Sequence, residues 1–294
     1  YQRTYSWKKE ECQQLWDDIV RCGSDNNVSA HFVGSIVYIT DGTYQVSDSK
    51  HLVIDGQQRL TTVLLILEAL ARQIGDAEPV EGFSSLKLRN YYLKSVVEKG
   101  DKAFKLLLTQ TDAETLKRLI DGATLQSLGK EGSIRIKENF GYFEKWIAER
   151  KDNLVPVYNG ISKLRIVDVS LDRRYDNPQL IFESMNSTGR ELSQADLIRN
   201  FVLMGLEPSN QSHLYENYWR RMELAFGQEG YQKEFDGFMR HYLTLQTGDI
   251  PNIDRVYDAF KKYSRLSDIA CKGIEALLAE LLRYAVFYCA MALG

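Results

Sequence analysis

Apolar positions along the chain pass from helical to strand spacing and back again. Cys12, Leu15, Trp16 and Ile19 recur at three- and four-residue intervals, which predicts a helix over about residues 8–22. Phe32, Val33, Ile36, Val37 and Ile39 crowd a β-former-rich run, so a strand is expected at 32–40. Asp41-Gly42 is a hairpin signal, with the returning strand at 50–54. Leu60, Val63, Leu64, Leu67, Leu70 and Ile74 then fall on one helical stripe. The second strand therefore turns at Gly56 straight into a helix. Residues 75–83 read as a Gly-, Pro- and acid-containing loop, and helices are expected at 86–99, 102–109, 112–121 and 134–150. Residues 164–171 return to strand character and are expected to rejoin the first sheet, which makes the intervening helices an insertion or a cover.

Farther on, Asn177-Pro178 opens a short helix through Ile181, Phe182 and Met185, which stops at the polar turn Asn186-Ser187-Thr188-Gly189. Ser193 is placed to cap the next helix, with Asp196 three residues on and Leu192 and Leu197 as a hydrophobic staple. Arg199 and Asn200 fall on the face away from Leu197, Phe201 and Val202, and are expected to meet solvent or a cleft. Helices follow at 212–226, 231–247, 252–263 and 267–293, punctuated by Pro208, Gly227, Gly230 and Pro251. Their aromatics, Tyr215, Tyr218, Trp219, Phe235, Phe238 and Tyr242, are expected in packing between helices. The fold class is therefore α+β. A small mixed sheet with helices is assigned to residues 1–205, including a helical insertion at about 84–152, and a helical region to 206–294.

Composition narrows the function classes. A net charge of −3 and a pI near 5.9 count against a strongly basic nucleic-acid binder, while leaving a local basic cleft open. Cys12, Cys22, Cys271 and Cys289 show no CxxC spacing, and free thiols in a reducing cytoplasm are expected. His31, His51, His213 and His241 are too scattered for a zinc or HNH-like set. No run approaches the ~18 apolar residues of a membrane span. The opening Tyr-Gln-Arg-Thr-Tyr-Ser-Trp carries neither a signal core nor an initiator Met, and reads as though it begins inside a motif. Oligomeric state is not legible.

The candidate chemistry concentrates at I-D-G-Q-Q-R-L-T-T, residues 54–62. Asp55 reads as the N-cap of the following helix, and Gln58 completes a capping box. Arg59 is different: a cation in a first helical turn opposes the macrodipole by a few tenths to about 1 kcal/mol. An anion between the helix start and the guanidinium would remove that conflict. Two readings are open: a capped βα turn with a solvated Arg59, and a phosphate or carboxylate site. In the second, Asp55 holds Mg²⁺ or orients an attacking water, and Gln57 or Gln58 positions it. With a single glycine and no Walker lysine, the turn is not a P-loop. Gln2 and Arg3, flanked by Tyr1, Tyr5 and Trp7, form a second polar-aromatic cluster with two open readings: one that binds phosphate or stacks on a base, and one in which Tyr5 and Trp7 lead into the core and Arg3 lies on the surface. Asn186, Thr188 and Gly189 form a third.

Three motifs in this order, Q-R-x-Y-x-W from Gln2, I-D-G-Q-Q-R-L-T-T from Ile54 and F-x-x-x-N-x-T-G-x-x-L-x-x-x-D-L-I-R-N from Phe182, resemble the N-terminal domain of GmrSD-type restriction systems. The resemblance spans Gln2 to Asn200. It implies a ParB/sulfiredoxin-like core, hydrolysis of a nucleoside triphosphate, and a sensing role in defence against phage through modified DNA. By position, Asp55, Gly56, Gln57, Gln58 and Arg59 would form the nucleotide site. Gln2 and Arg3 would line it, and the Asn186–Thr188–Gly189 turn would sit beside it. Full-length members also carry a His- and Asn-rich HNH-type nuclease domain, a pattern missing from these residues, so DNA cleavage is not expected of them. The partner would be such a nuclease, downstream or separate. The alternatives are a non-enzymatic DNA- or protein-binding module using the same cleft, and a ParB-like nuclease.

Overall fold

The computed structural model describes residues 4–41, 50–129, 131–172, 181, 193–204 and 206–293. Gln2, Arg3, Asn186, Thr188 and Gly189 lie outside the described residues, as does the short helix expected around Phe182. The chain forms an α+β fold: among the described residues, a small three-stranded mixed sheet lies among helices and is followed by a mainly helical part. By contacts it divides into two compact units, residues 2–171 and residues 172–294 with Tyr1.

In the first unit, α1 (Lys9–Ser24) buries Cys12, Leu15, Trp16 and Ile19, the stripe its spacing predicts. β1 (His31–Asp41) pairs antiparallel with β2 (Lys50–Asp55) and parallel with β3 (Leu164–Leu171), giving the order β2-β1-β3. α2 (Gln57–Ile74) follows β2 after one residue and is central to the unit. Leu64 to Ala71 are buried without a break, so helical periodicity alone understates how fully it is covered. It packs on α5 (Ile134–Ala148), whose Phe140, Phe143 and Ile147 are fully buried.

Two expected helices are replaced. Over 86–99 only α3 (Ser85–Leu88) and a π-helical turn at Arg89–Leu93 form, and the chain then becomes extended. Over 102–109 a 3₁₀ turn at Gly100–Ala103 gives way to Phe104, which bridges back to Lys94. That cross-link satisfies main-chain groups that a helix would have paired internally. α4 (Gln110–Ile120) follows. One helix was not foreseen: α6 (Val155–Lys163), whose Pro156 occupies the first turn, where proline is tolerated. α1 and α6 cross closely. A Cβ on Gly23 would lie 1.7 Å from the Pro156 carbonyl oxygen, and one on Gly160 would lie 1.9 Å from that of Ile19.

A buried carboxylate locks the helices around α2. Glu68 accepts from Arg72 Nε at 2.7 Å and from Arg89 Nη2 at 2.9 Å. The same guanidiniums donate to the last carbonyls of α4 and the turn after it: Arg72 to Leu119 and Ala123, Arg89 to Ile120. These are the acceptors a helix C-terminus leaves without internal partners. Burial pushes the Glu68 carboxyl upward, and Arg72 and Arg89 pull it back only in part.

The second unit is built of α7 (Gln194–Leu203), α8 (Pro208–Leu214), α9 (Arg220–Thr247), α10 (Val256–Ser264) and α11 (Ser267–Ala292). A π-helical turn, Tyr215–Trp219, joins α8 to α9, and the helical path breaks inside α9 at Gly227 and inside α11 at Gly273. Trp219, Phe235, Phe238 and Tyr242 are core residues, as expected. Ser193 caps α7 through the Asp196 N–H at 3.1 Å, and the Asp236 carboxylate takes the Gln194 and Ala195 N–H groups. Arg199 and Asn200 do not meet solvent or a cleft: both are buried. Arg199 pairs with Asp196 at 3.1 Å and Glu223 at 3.3 Å. Burial works against its charge, but Asp196, Tyr231 and Glu223 outweigh that and hold the guanidinium above its ordinary pKa. α7 packs against α9 as well as α10, so its polar face is enclosed with its apolar one.

Candidate functional site

The turn between β2 and α2 departs from the expected capping box. Gly56, not Asp55, is the N-cap of α2, with left-handed φ 94° and ψ 2° and no side-chain cap. A Cβ here would meet Ile36 Cγ1 at 2.9 Å, so glycine is required both by conformation and by closeness to β1. Asp55 is still the last residue of β2, facing Val37 across the ladder.

Freed from capping, Asp55 pairs with Arg59: Nη2 donates to Oδ2 at 2.9 Å. The first turn of α2 contains no acid of its own, so Asp55 supplies the negative charge opposite the helix start and the guanidinium. The conflict that singled out Arg59 is thus met inside the protein. The pair is also reachable, with the Arg59 side chain 23% and that of Asp55 30% exposed. Arg59 Nη1 points toward the Val33 carbonyl at 3.5 Å and lies over Gly34, where a Cβ would come within 1.7 Å of it. Gly34 is at φ 123°, so β1 gives the guanidinium a seat that only glycine provides. No feature of the strand pattern had marked Gly34. Its signal was a lone glycine inside an otherwise β-branched run, which points to a bulge or a close approach. The β1–β3 register does shift between Phe32 and Gly34.

The two glutamines are buried and committed. Gln57 Nε2 donates to the Val53 carbonyl at 2.9 Å. Gln58 Oε1 accepts the Ser6 N–H at 2.8 Å and the Trp7 N–H at 3.3 Å, and its Nε2 donates to the Thr4 carbonyl at 3.1 Å. The second motif therefore stitches down the first. Tyr5 completes the joint. Its N–H reaches Asp112 Oδ2 at 2.6 Å, and Asn139 Nδ2 donates to its hydroxyl at 3.1 Å and to the Trp7 carbonyl at 2.8 Å. Thr62 Oγ1 spends its hydrogen on the Gln58 carbonyl at 2.8 Å, so Tyr5 is the donor in the 2.7 Å contact between the two hydroxyls. Burial raises the Tyr5 pKa well above its ordinary value, which keeps that hydroxyl protonated.

With this geometry in place, comparison with known families is decisive for the first two thirds of the chain. A family model described as the GmrSD restriction endonuclease N-terminal domain matches residues 1–203. The chain belongs to the GmrSD N-terminal domain family. It is thus a module of a restriction system. A search of the curated proteins returns no match. The GmrSD match covers the Asp55–Arg59 turn, its Thr4–Trp7 partner segment and α7, and stops at Leu203.

Among the described residues no group of three or more His, Cys, Asp and Glu side chains could by itself hold a metal ion. Asp55 is the carboxylate within the turn. That fits Mg²⁺ only in the manner of a nucleotide-borne ion, which takes most of its ligands from phosphate and water. No helix of the described residues is long and apolar enough to cross a membrane.

Proposed function

We propose that the GmrSD N-terminal domain described here binds and hydrolyses a nucleoside triphosphate at the Asp55–Arg59 pair, and that nucleotide state controls a restriction nuclease acting on DNA. The observation supporting this reading is the partly exposed ion pair, set against buried Gln57 and Gln58. Of the four polar side chains in D-G-Q-Q-R, these two have charge accessible to solvent.

The terminal phosphate competes with Asp55 for the guanidinium, whose flat fork suits a bidentate phosphate contact. Once displaced, the Asp55 carboxylate sits beside the bound phosphate. There it orients the attacking water, and it would be the protein ligand for a Mg²⁺ brought in by the nucleotide, which would offset phosphate charge. Gly56 and Gly34 let the main chain and the guanidinium approach closely. Gln57 and Gln58 act as positioning residues that hold the turn to β2 and to the N-terminal segment.

The test uses the purified chain with Mg²⁺ and each nucleoside triphosphate, reading binding by thermal shift and turnover by phosphate release. Arg59→Ala is expected to abolish both. Asp55→Asn is expected to leave binding intact and remove turnover, since it takes away the competing anion together with the water-orienting group. Absence of binding by the unaltered chain, or binding indifferent to Arg59→Ala, sinks the assignment.

A further inference from the structure

The sheet face that carries Arg59 does not end at the turn. Along β1, Gly34 lies under the guanidinium and Ile36 lies against Gly56, so Tyr38 and Thr40 come next on the same face. Parallel pairing places Asp168 beside Ile36 and Ser170 beside Tyr38, while antiparallel pairing places Val53 opposite Tyr38 and His51 opposite Thr40. The side chains agree with the register. The Tyr38 and His51 rings lie 4.4 Å apart, and Thr40 Oγ1 contacts His51 Nδ1 at 3.3 Å. The Tyr38 hydroxyl lies near enough to Asp168 and Ser170 to feel both, and Asp168 pushes its pKa upward. His51 and Asp168 are exposed, and Tyr38 is half-buried. None of these groups takes part in the Arg59–Asp55 chemistry, and no part of the core requires a carboxylate, a phenol and an imidazole on a solvent-facing strand surface.

We propose that the Tyr38–His51–Asp168 face is the base-recognition half of the nucleotide site, with Arg59 as its phosphate half. This rests on the reading given under Proposed function. Along β1, Asp168 stands at the level of Ile36 and His51 at that of Thr40, about 7 and 20 Å from Gly34, so the face around Tyr38 spans the distance from a nucleotide's terminal phosphate to its base. The His51 ring, held by Thr40 and backed by Tyr38, offers an aromatic surface on which any base stacks. Asp168 is an acceptor-only group, and the Tyr38 hydroxyl positions it without exhausting its lone pairs. It selects bases that present N–H donors at their edge, and a base with two adjacent donors fits it best.

The probes are inorganic triphosphate, which has no base, and the four common nucleoside triphosphates, each titrated against the full chain with Mg²⁺. The unaltered chain is expected to bind nucleotides more tightly than triphosphate. Asp168→Asn, which introduces a donor where an acceptor stood, is expected to weaken nucleotide binding about tenfold, the loss of one charge-assisted contact. It is also expected to change the ranking of bases and leave triphosphate binding unchanged. His51→Ala is expected to weaken all four nucleotides together and again spare triphosphate, whereas Arg59→Ala weakens every probe. Equal affinity for triphosphate and nucleotides, or nucleotide binding indifferent to both Asp168→Asn and His51→Ala, overturns the base subsite while leaving the phosphate site standing. No binding of any probe overturns both.

Discussion

Helix α2 carries an ion-pair site at each end, and the two are built on opposite principles. Near its C-terminus, Glu68 is sealed between Arg72 and Arg89, whose spare donors hold the carbonyls at the end of α4. Near its N-terminus, Arg59 and Asp55 face each other with about a quarter of each side chain in solvent and few other ties. Desolvated charges that are broken open leave an uncompensated ion behind, whereas exposed pairs stabilise little. The sealed site is therefore architecture. The open one costs the fold little to rearrange, a requirement for any residue that must exchange an internal partner for a ligand.

Substitutions can break this contrast. Glu68→Ala removes the carboxylate that Arg72 and Arg89 share, while both keep their carbonyl partners and Arg72 its contact with Glu144, and is expected to destabilise the first unit by about 2–3 kcal/mol in urea titration. A loss similar to that of an exposed pair would show that the cluster is already hydrated. Gln58→Ala is expected to cost about 1–3 kcal/mol, because the Ser6 N–H and the Thr4 carbonyl lose their partner. Limited proteolysis should then cut first near residues 4–7. At the open end, Arg59→Ala is expected to change stability by no more than about 1 kcal/mol, despite its effect on nucleotide binding.

Acid sharpens the comparison further. Because the folded Glu68 pKa is raised, the folded state holds that proton more tightly than the unfolded chain does. Its contribution to stability is present below the ordinary carboxylate pKa and is lost as pH rises through the raised value. The urea midpoint should therefore fall between mildly acidic and neutral pH, less steeply in Glu68→Gln, and equal slopes would count against the buried titration. The smallest effect is at sulfur. Burial pushes the Cys12 thiol up to about 12, so in the folded chain alkylation should label exposed Cys271 and spare Cys12.

The same contrast marks how far the sequence could be read. The strands, α1, α2 and the core aromatics follow from spacing, because burial of one face imposes a period. The turn was located correctly but its wiring was not. An Asp followed three residues later by Gln is a capping box on paper, and only the left-handed conformation of Gly56 shows that the cap lies one residue later. The partners of Gln58 lie in a segment more than fifty positions away, a pairing no local pattern encodes. Arg199 and Asn200 were expected at solvent or in a cleft because one helix was considered without its neighbours. Residues 94–109 misled for a related reason: helix-forming Lys, Ala and Leu are weak evidence once an extended bridge can satisfy the same main chain.

The parallel pairing of β1 with β3 has a consequence in time. β1 and β2 can form a hairpin as soon as they exist, whereas β3 arrives only after the whole helical insertion has been made. Closing so long a loop adds little to the equilibrium cost, about 0.6 kcal/mol per doubling of length, but non-local pairing slows folding. During synthesis the Arg59 turn is therefore left on a two-stranded ribbon, which is marginal by itself. The seat at Gly34, which β3 pins through Ile166, is expected to be among the last parts of the first unit to set. A ribosome-stalled chain ending before Leu164 should accordingly lack nucleotide affinity even where α1, α2 and α5 are already folded.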